Sequence, residues 1–129
     1  MASFMAPFAS HTYAILRIVT GFLFLWHGSQ KLLGFPGGMP DGVPPLVVYV
    51  AGPVELIGGI LVMIGLATRW AAFLCSGLMA AAYWMAHGLN AVLPLQNHGE
   101  LAVLYCFVFL FIAAQGAGIW SVDSSRSAV

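Results

Sequence analysis

The chain has 129 residues, of which 61% are apolar and 6% are charged, and its formal net charge is zero. A soluble domain carries about 25% charged residues, so this composition excludes an ordinary water-soluble fold and points to lipid. With four basic and four acidic residues, it also offers no basic patch for nucleic acid and no acidic tail for a cationic partner. The length fits a single membrane domain over residues 1–129.

Four apolar runs follow in chain order, at residues 12–33, 46–66, 70–89 and 99–119. Each is near the ~20 residues that cross a hydrocarbon core as a helix. The first is longer than a signal-peptide core and no small-residue cleavage site follows it, so it reads as a retained anchor. Residues 34–45 (GFPGGMPDGVPP) are too rich in Gly and Pro to be helical. Residues 67–69 make a tight turn, which makes the second and third runs antiparallel neighbours. Residues 90–98 form a short loop around Pro94, and the polar tail 121–129 is expected to fray. The fold class predicted is all-α, an integral membrane four-helix bundle. An even number of spans places both termini on one side, and Arg69 and Arg126 lie there with Arg17 nearest to it. The other side carries only Lys31, so the positive-inside rule puts the termini in the cytoplasm.

Ionisable groups within apolar spans are functional candidates by default, because burial in lipid is expensive. Glu55 lies in the middle of the second run, and Arg17, His27, Lys31, His87 and Glu100 lie inside or at the ends of the others. At 1.5 Å of rise per residue, His27 sits roughly 9 Å and Glu55 roughly 13 Å below the outer ends of their helices. His87 and Glu100 sit within about one turn of theirs, with Asn97 and His98 in the loop above. All four helices thus send polar groups to the outer half. Arg17 is the exception, roughly 21 Å below Lys31 on the same helix.

Helical periodicity supports that convergence. Arg17, Gly21, Phe24, Gly28 and Lys31 share one stripe, bordered by His27. Gly52, Glu55 and Gly59 share a face, and small residues let membrane helices approach closely. Gly77, Ala81, Trp84 and Gly88 form a similar stripe on the third run. Pro53 cannot donate a backbone hydrogen bond, so a break or kink is expected just above Glu55.

Several chemistries fit these residue types. Glu55 either pairs with Arg17 or Lys31 or hydrogen-bonds to His27, and each of these also serves a purely structural role. His27 and His87 are sensible axial ligands for a haem. His27, Glu55, His87 and Glu100 are plausible metal ligands in type, but no close-spaced motif supports a metal site. Cys75 and Cys106 differ in depth by roughly 9 Å, too far for a disulfide, and read as inert core thiols. No phosphate loop, nucleotide fingerprint or nucleophile elbow appears.

The stretches RIVTGFLFLWHGSQKL (residues 17–32), ELIGGILVMIGLATR (55–69), NHGELAVLY (97–105) and GAGIWSVD (116–123) resemble the DoxX family of small four-helix membrane proteins. The resemblance covers nearly the whole chain in order. It implies a multi-pass protein of the bacterial inner membrane, related to the DoxD subunit of thiosulfate:quinone oxidoreductase and tied to sulfur or thiol redox. It marks Arg17, Lys31, Glu55, Arg69, Asn97, Glu100 and Asp123 as positions that match the family pattern.

The expectation is therefore a quinone-linked redox subunit with a polar pocket in the outer half, lidded by residues 34–45. Glu55 and His27 would relay protons, while Lys31, His87, Asn97 and Glu100 would bind a polar head group. Arg17, Arg69 and Asp123 would be structural. Quinone is the cofactor class implied. Besides the lipid bilayer, a membrane or peripheral redox partner, or a second copy of the chain, would complete the system. The alternative is a non-catalytic structural or assembly subunit of a larger membrane complex. A transporter is disfavoured by the lack of an internal repeat.

Overall fold

The computed structural model describes residues 3–127, all of whose regular elements are helical. Helix α1 (Ala9–Leu33) follows a single 3-10 turn (Ala6–Phe8). Helix α2 (Gly52–Ile64) is entered through a π-helical turn (Val47–Ala51), and α3 (Thr68–Ala82) runs on into another (Tyr83–His87). A short α4 (Pro94–Asn97), α5 (Glu100–Gln115) and α6 (Val122–Arg126) complete the chain. Two helical runs are long and apolar enough to cross a membrane, Ala6–Leu33 with 28 residues and Val47–Ile64 with 18. Glu100–Gln115 is apolar but shorter.

The π turn at Val47–Ala51 accounts for Pro53. Proline has no amide to give the carbonyl four residues back. The backbone widens by one residue, and Gly52 N–H returns to the Val47 carbonyl. The expected break is thus a local widening within a continuous helical run.

Helix α1 lies along α2, α3 lies along α5, and α2 and α3 join the two pairs. Glycine explains the first pairing. A Cβ on Gly21 would stand 2.5 Å from Met63 N and 2.6 Å from Gly59 O, and one on Gly59 would stand 2.8 Å from Leu25 N. A Cβ on Gly28 would meet Leu56 N in the same way. The two backbones touch, as small-residue faces allow in membranes. The buried side of α1 (Arg17, Gly21, Phe24, Gly28) follows the predicted stripe.

Helix α3 does not follow its predicted stripe. Gly77, Ala81 and Trp84 face outward, and no neighbour lies within 4 Å of a Cβ on Gly77. The packed face is instead Ala71, Ala72, Cys75, Ser76 and Met79. Ser76 holds this face to α5 by donating to the Cys106 carbonyl at 2.7 Å. Both cysteines are free thiols. Phe24, Tyr105 and Phe109 close the middle of the core, with Phe24 and Phe109 ring centroids 4.6 Å apart.

The tail is more ordered than its polarity suggests. Residues 122–126 form α6, and Ser121 caps its N-terminus. The fraying expected at residues 128–129 lies outside the described residues.

Candidate functional site

The polar residues separate into two groups at opposite ends of the helices. At the end that holds the α2–α3 turn and α6, Arg17, Arg69 and Asp123 are engaged with backbone groups. Arg17 is fully buried and forks between two chain segments. One amino group donates to the carbonyls of Val62 (2.9 Å) and Met63 (2.8 Å), and the other to Ile119 (3.2 Å) and Trp120 (2.7 Å). The first pair are carbonyls of the last turn of α2. Val62 also accepts from Gly65 N, whereas Met63 lies among the end carbonyls that a helix leaves unpaired, so Arg17 caps that helix from a neighbour. Arg69 does the same for α5, donating to Ala113 and Ala114. Helix α5 stops here at Gly116 (φ 91°), short of the predicted residue 119.

Asp123 closes the α2–α3 turn. Ala67 occupies the left-handed region (φ 48°), which a residue with a Cβ adopts only when its surroundings hold it there. Asp123 supplies that hold. Its carboxylate accepts from Ala67 N (2.9 Å), Thr68 N (3.0 Å) and the Thr68 hydroxyl (2.8 Å). Partial burial works to raise its pKa, but these bonds, with Arg126 nearby, outweigh it and hold the carboxyl below its ordinary value. A broad open depression of about 580 Å³ lies at this end beside Arg69 and Asp123. Both charges already serve the backbone, so the depression offers little to a ligand.

The other end is built differently. Lys31, one turn from the end of α1, meets Glu55 on α2 at 2.6 Å, with side chains 10% and 5% exposed. The close α1–α2 crossing at Gly28 brings the two within reach. Of the partners open to Glu55 from sequence, the structure selects Lys31. Arg17 is at the far end, and His27 makes no hydrogen bond to Glu55; its ring lies edge-on to Tyr105 at 6.0 Å.

Behind the ion pair is a cavity of about 210 Å³. Its polar groups are Glu55, His27, His87, His98 and Tyr105, and Phe24, Met79, Ala82, Leu101 and Ala102 supply apolar wall. Residues from α1, α2, the α3 run and α5 all contribute. The Nδ1 of His87 lies 2.9 Å from the Asn97 carbonyl. A carbonyl only accepts, so Nδ1 must donate, and neutral His87 keeps Nε2 as an acceptor.

Other sequence candidates lie elsewhere. The Asn97 side chain is buried in a turn clamp: its amide donates to Tyr83 Oη (3.1 Å) and the Ala91 carbonyl (3.2 Å), and its oxygen accepts from Gly99 N (2.9 Å). It orients the α4–α5 corner and does not line the cavity. Glu100 is exposed and faces a separate hollow with Pro94, Val103, Leu104 and Phe107. Residues 34–45 are tied to α1, since Ser29 donates to the Phe35 carbonyl at 2.8 Å. None of them lines the cavity.

His27 and His87 do share the cavity, but a space this size holds about one six-membered ring, far less than a porphyrin. Among the described residues, no group of three or more His, Cys, Asp or Glu is placed to hold a metal ion. Two lining residues were missed from sequence. Tyr105 reads as one more aromatic in an apolar helix, and His98 as a loop residue.

Comparison with known proteins agrees with the sequence resemblance. A model of the DoxX family matches residues 12–88. An uncharacterized protein of Haemophilus influenzae is 43% identical over 117 residues, covering 86% of this chain and 87% of its own length. A Bacillus subtilis protein named "Putative oxidoreductase CatD" is 32% identical over 113 residues, covering 84% of this chain and 82% of its own. No solved structure matches. With its apolar helices and a family match over more than half its length, this chain is a member of the membrane-associated DoxX family.

Proposed function

We propose that the chain is a redox-associated, multi-pass protein of the bacterial inner membrane that binds a quinone-type head group in the 210 Å³ cavity. The observation that carries this reading is the cavity itself. A carboxylate, imidazoles and a phenol line it beside apolar walls, which is the mixture that small-molecule sites use. A relative named as an oxidoreductase favours redox over other uses. In this reading the four long helical runs form a four-span bundle, with both termini and the Arg69–Asp123 end in the cytoplasm and the cavity in the outer half. The volume lies below the ~300 Å³ lower range of drug-sized pockets, so a ring enters and its tail remains in lipid. Glu55 and His27 exchange protons with the bound ring, and Lys31 holds Glu55 in place. Electrons come from a separate redox partner.

A second reading has its own support. Lys31 and Glu55 satisfy each other, and a pair of that kind can serve only to fix helix register. The chain would then be an assembly subunit of a larger complex or of a homo-oligomer. Purification in mild detergent, with native mass spectrometry and quinone extraction, separates the two. The first reading expects a stoichiometric quinone that is lost in Glu55→Gln and His27→Ala. A stable large assembly with no small molecule in this subunit would reject it in favour of the second.

A further inference from the structure

The cavity narrows the class of ring it can take. We infer that the site binds a single-ring, two-oxygen head group, a benzoquinone or its quinol, and that Tyr105 is the residue that reads one of its oxygens. This rests on the cavity being the ligand site proposed above.

Volume is the first ground. An apolar cavity of about 150 Å³ accommodates benzene. Scaled by volume, 210 Å³ accommodates roughly eight heavy atoms. That is one ring bearing two oxygens. Two fused rings with two oxygens need about half as many atoms again, more than this volume holds by the same scaling. Met79 is buried on α3 and lines the cavity, so its side chain takes up part of the space a larger ring would need.

Tyr105 is the second ground. The other tyrosines inside the fold have hydroxyl partners: Tyr13 donates to the Gly116 carbonyl, and Tyr83 accepts from Asn97. Tyr105 is 8% exposed and lines the cavity, yet its hydroxyl bonds to no described residue. A hydroxyl at the cavity wall with no protein partner is free to donate to a ligand oxygen. The ring is already fixed. It stacks on Phe109 at 5.8 Å with an interplanar angle of 18° and packs against Phe24 at 5.1 Å. A donor held in place in advance loses little freedom on binding.

His87 completes the chemistry from another helix. With Nδ1 committed to Asn97, its Nε2 can accept from a quinol hydroxyl but cannot donate while neutral. Tyr105 donates to a quinone oxygen and also accepts from a quinol. Together they bind both oxidation states of one ring.

The test uses the full chain in detergent, with methyl-p-benzoquinone and menadione as one-ring and two-ring probes. Equilibrium dialysis against protein-free micelles reads the affinities. The one-ring probe should bind at least about tenfold more tightly. Tyr105→Phe should weaken it about fivefold, the scale of one lost hydrogen bond, with the melting temperature unchanged. Met79→Ala, which enlarges the cavity, should close the gap between the two probes. This second variant keeps the inference testable should Tyr105→Phe fold poorly. Menadione binding as tightly as the one-ring probe would overturn the ring-size inference while leaving the cavity a ligand site. An unaltered one-ring affinity in well-folded Tyr105→Phe would overturn the role of Tyr105 in the same way. Binding of neither probe by folded protein would overturn both this inference and the reading on which it rests.

Discussion

The two ends of this molecule use polar residues in opposite ways. At the Arg17–Arg69–Asp123 end, charged side chains donate to or accept from backbone groups at helix termini. At the Lys31–Glu55 end, one ion pair stands beside a cavity, with the Tyr105 hydroxyl unpartnered and one nitrogen of His87 uncommitted. Polar groups in lipid need partners in both cases. The first end finds them within the chain for all but the Nε of Arg17, and the second leaves places for a guest. The same residue types therefore mark stability at one end and candidate chemistry at the other, and only their partners tell them apart.

The contrast is sharpest at Arg17. Arg17→Met should strand the carbonyls of Met63, Ile119 and Trp120 and cost about 3 kcal/mol or more, read as a loss of folded protein in a denaturing-detergent titration. Arg17→Lys should rescue little, since one ammonium cannot replace a planar fork. Any binding lost by Arg17→Met should track the unfolded fraction.

At the other end, Glu55→Gln or Lys31→Met leaves one buried charge alone and should cost about 3 kcal/mol. The double variant Lys31→Met with Glu55→Gln should recover most of that stability without recovering quinone. Recovery of both would break the comparison and make the pair structural.

Asp123 gives a smaller, pH-dependent effect. Its carboxyl is held below its ordinary value in the folded chain by Thr68, Ala67 and Arg126, against an opposing contribution from burial. A depressed carboxyl pKa stabilises the fold above the unfolded value, near pH 4, and that contribution fades as pH falls through the folded value. The melting temperature should therefore drop below about pH 4. Asp123→Asn should flatten that drop and cost about 1 kcal/mol at neutral pH, the scale of a lost helix cap. Glu100 should show the least. Glu100→Gln touches an exposed side chain and should change stability by less than about 0.5 kcal/mol, with quinone affinity unchanged.

Much of this was legible in the sequence because helical periodicity and depth along an apolar run are one-dimensional quantities. The gathering of His27, Glu55 and His87 followed from depth alone, and the α1 stripe from spacing. The choice of Lys31 over Arg17 as partner for Glu55 was open, because it depends on where α1 and α2 cross. The α3 stripe failed for a physical reason. Small residues permit a close approach but do not require one, and α3 found its partner through Ala72, Cys75 and Ser76 instead. Asn97 and Glu100 matched the family pattern, but spacing could not distinguish a turn clamp or an exposed helix start from a cavity wall. Tyr105 was invisible because its significance is an absence, a hydroxyl with no partner, and absences appear only once neighbours are placed.

The glycine crossing between α1 and α2 has a mechanical consequence. Backbones in direct contact at Gly21, Gly28 and Gly59 leave no room for sliding or rotation, so these helices act as one stiff jaw carrying His27, Lys31 and Glu55. The α3–α5 pair, which carries Met79, His87 and Tyr105, meets that jaw through side chains, and side chains can repack. Motion that admits a guest is therefore confined to this second jaw. His27, Lys31 and Glu55 then stay at fixed separation, while Met79, His87 and Tyr105 are the side that can move toward or away from them.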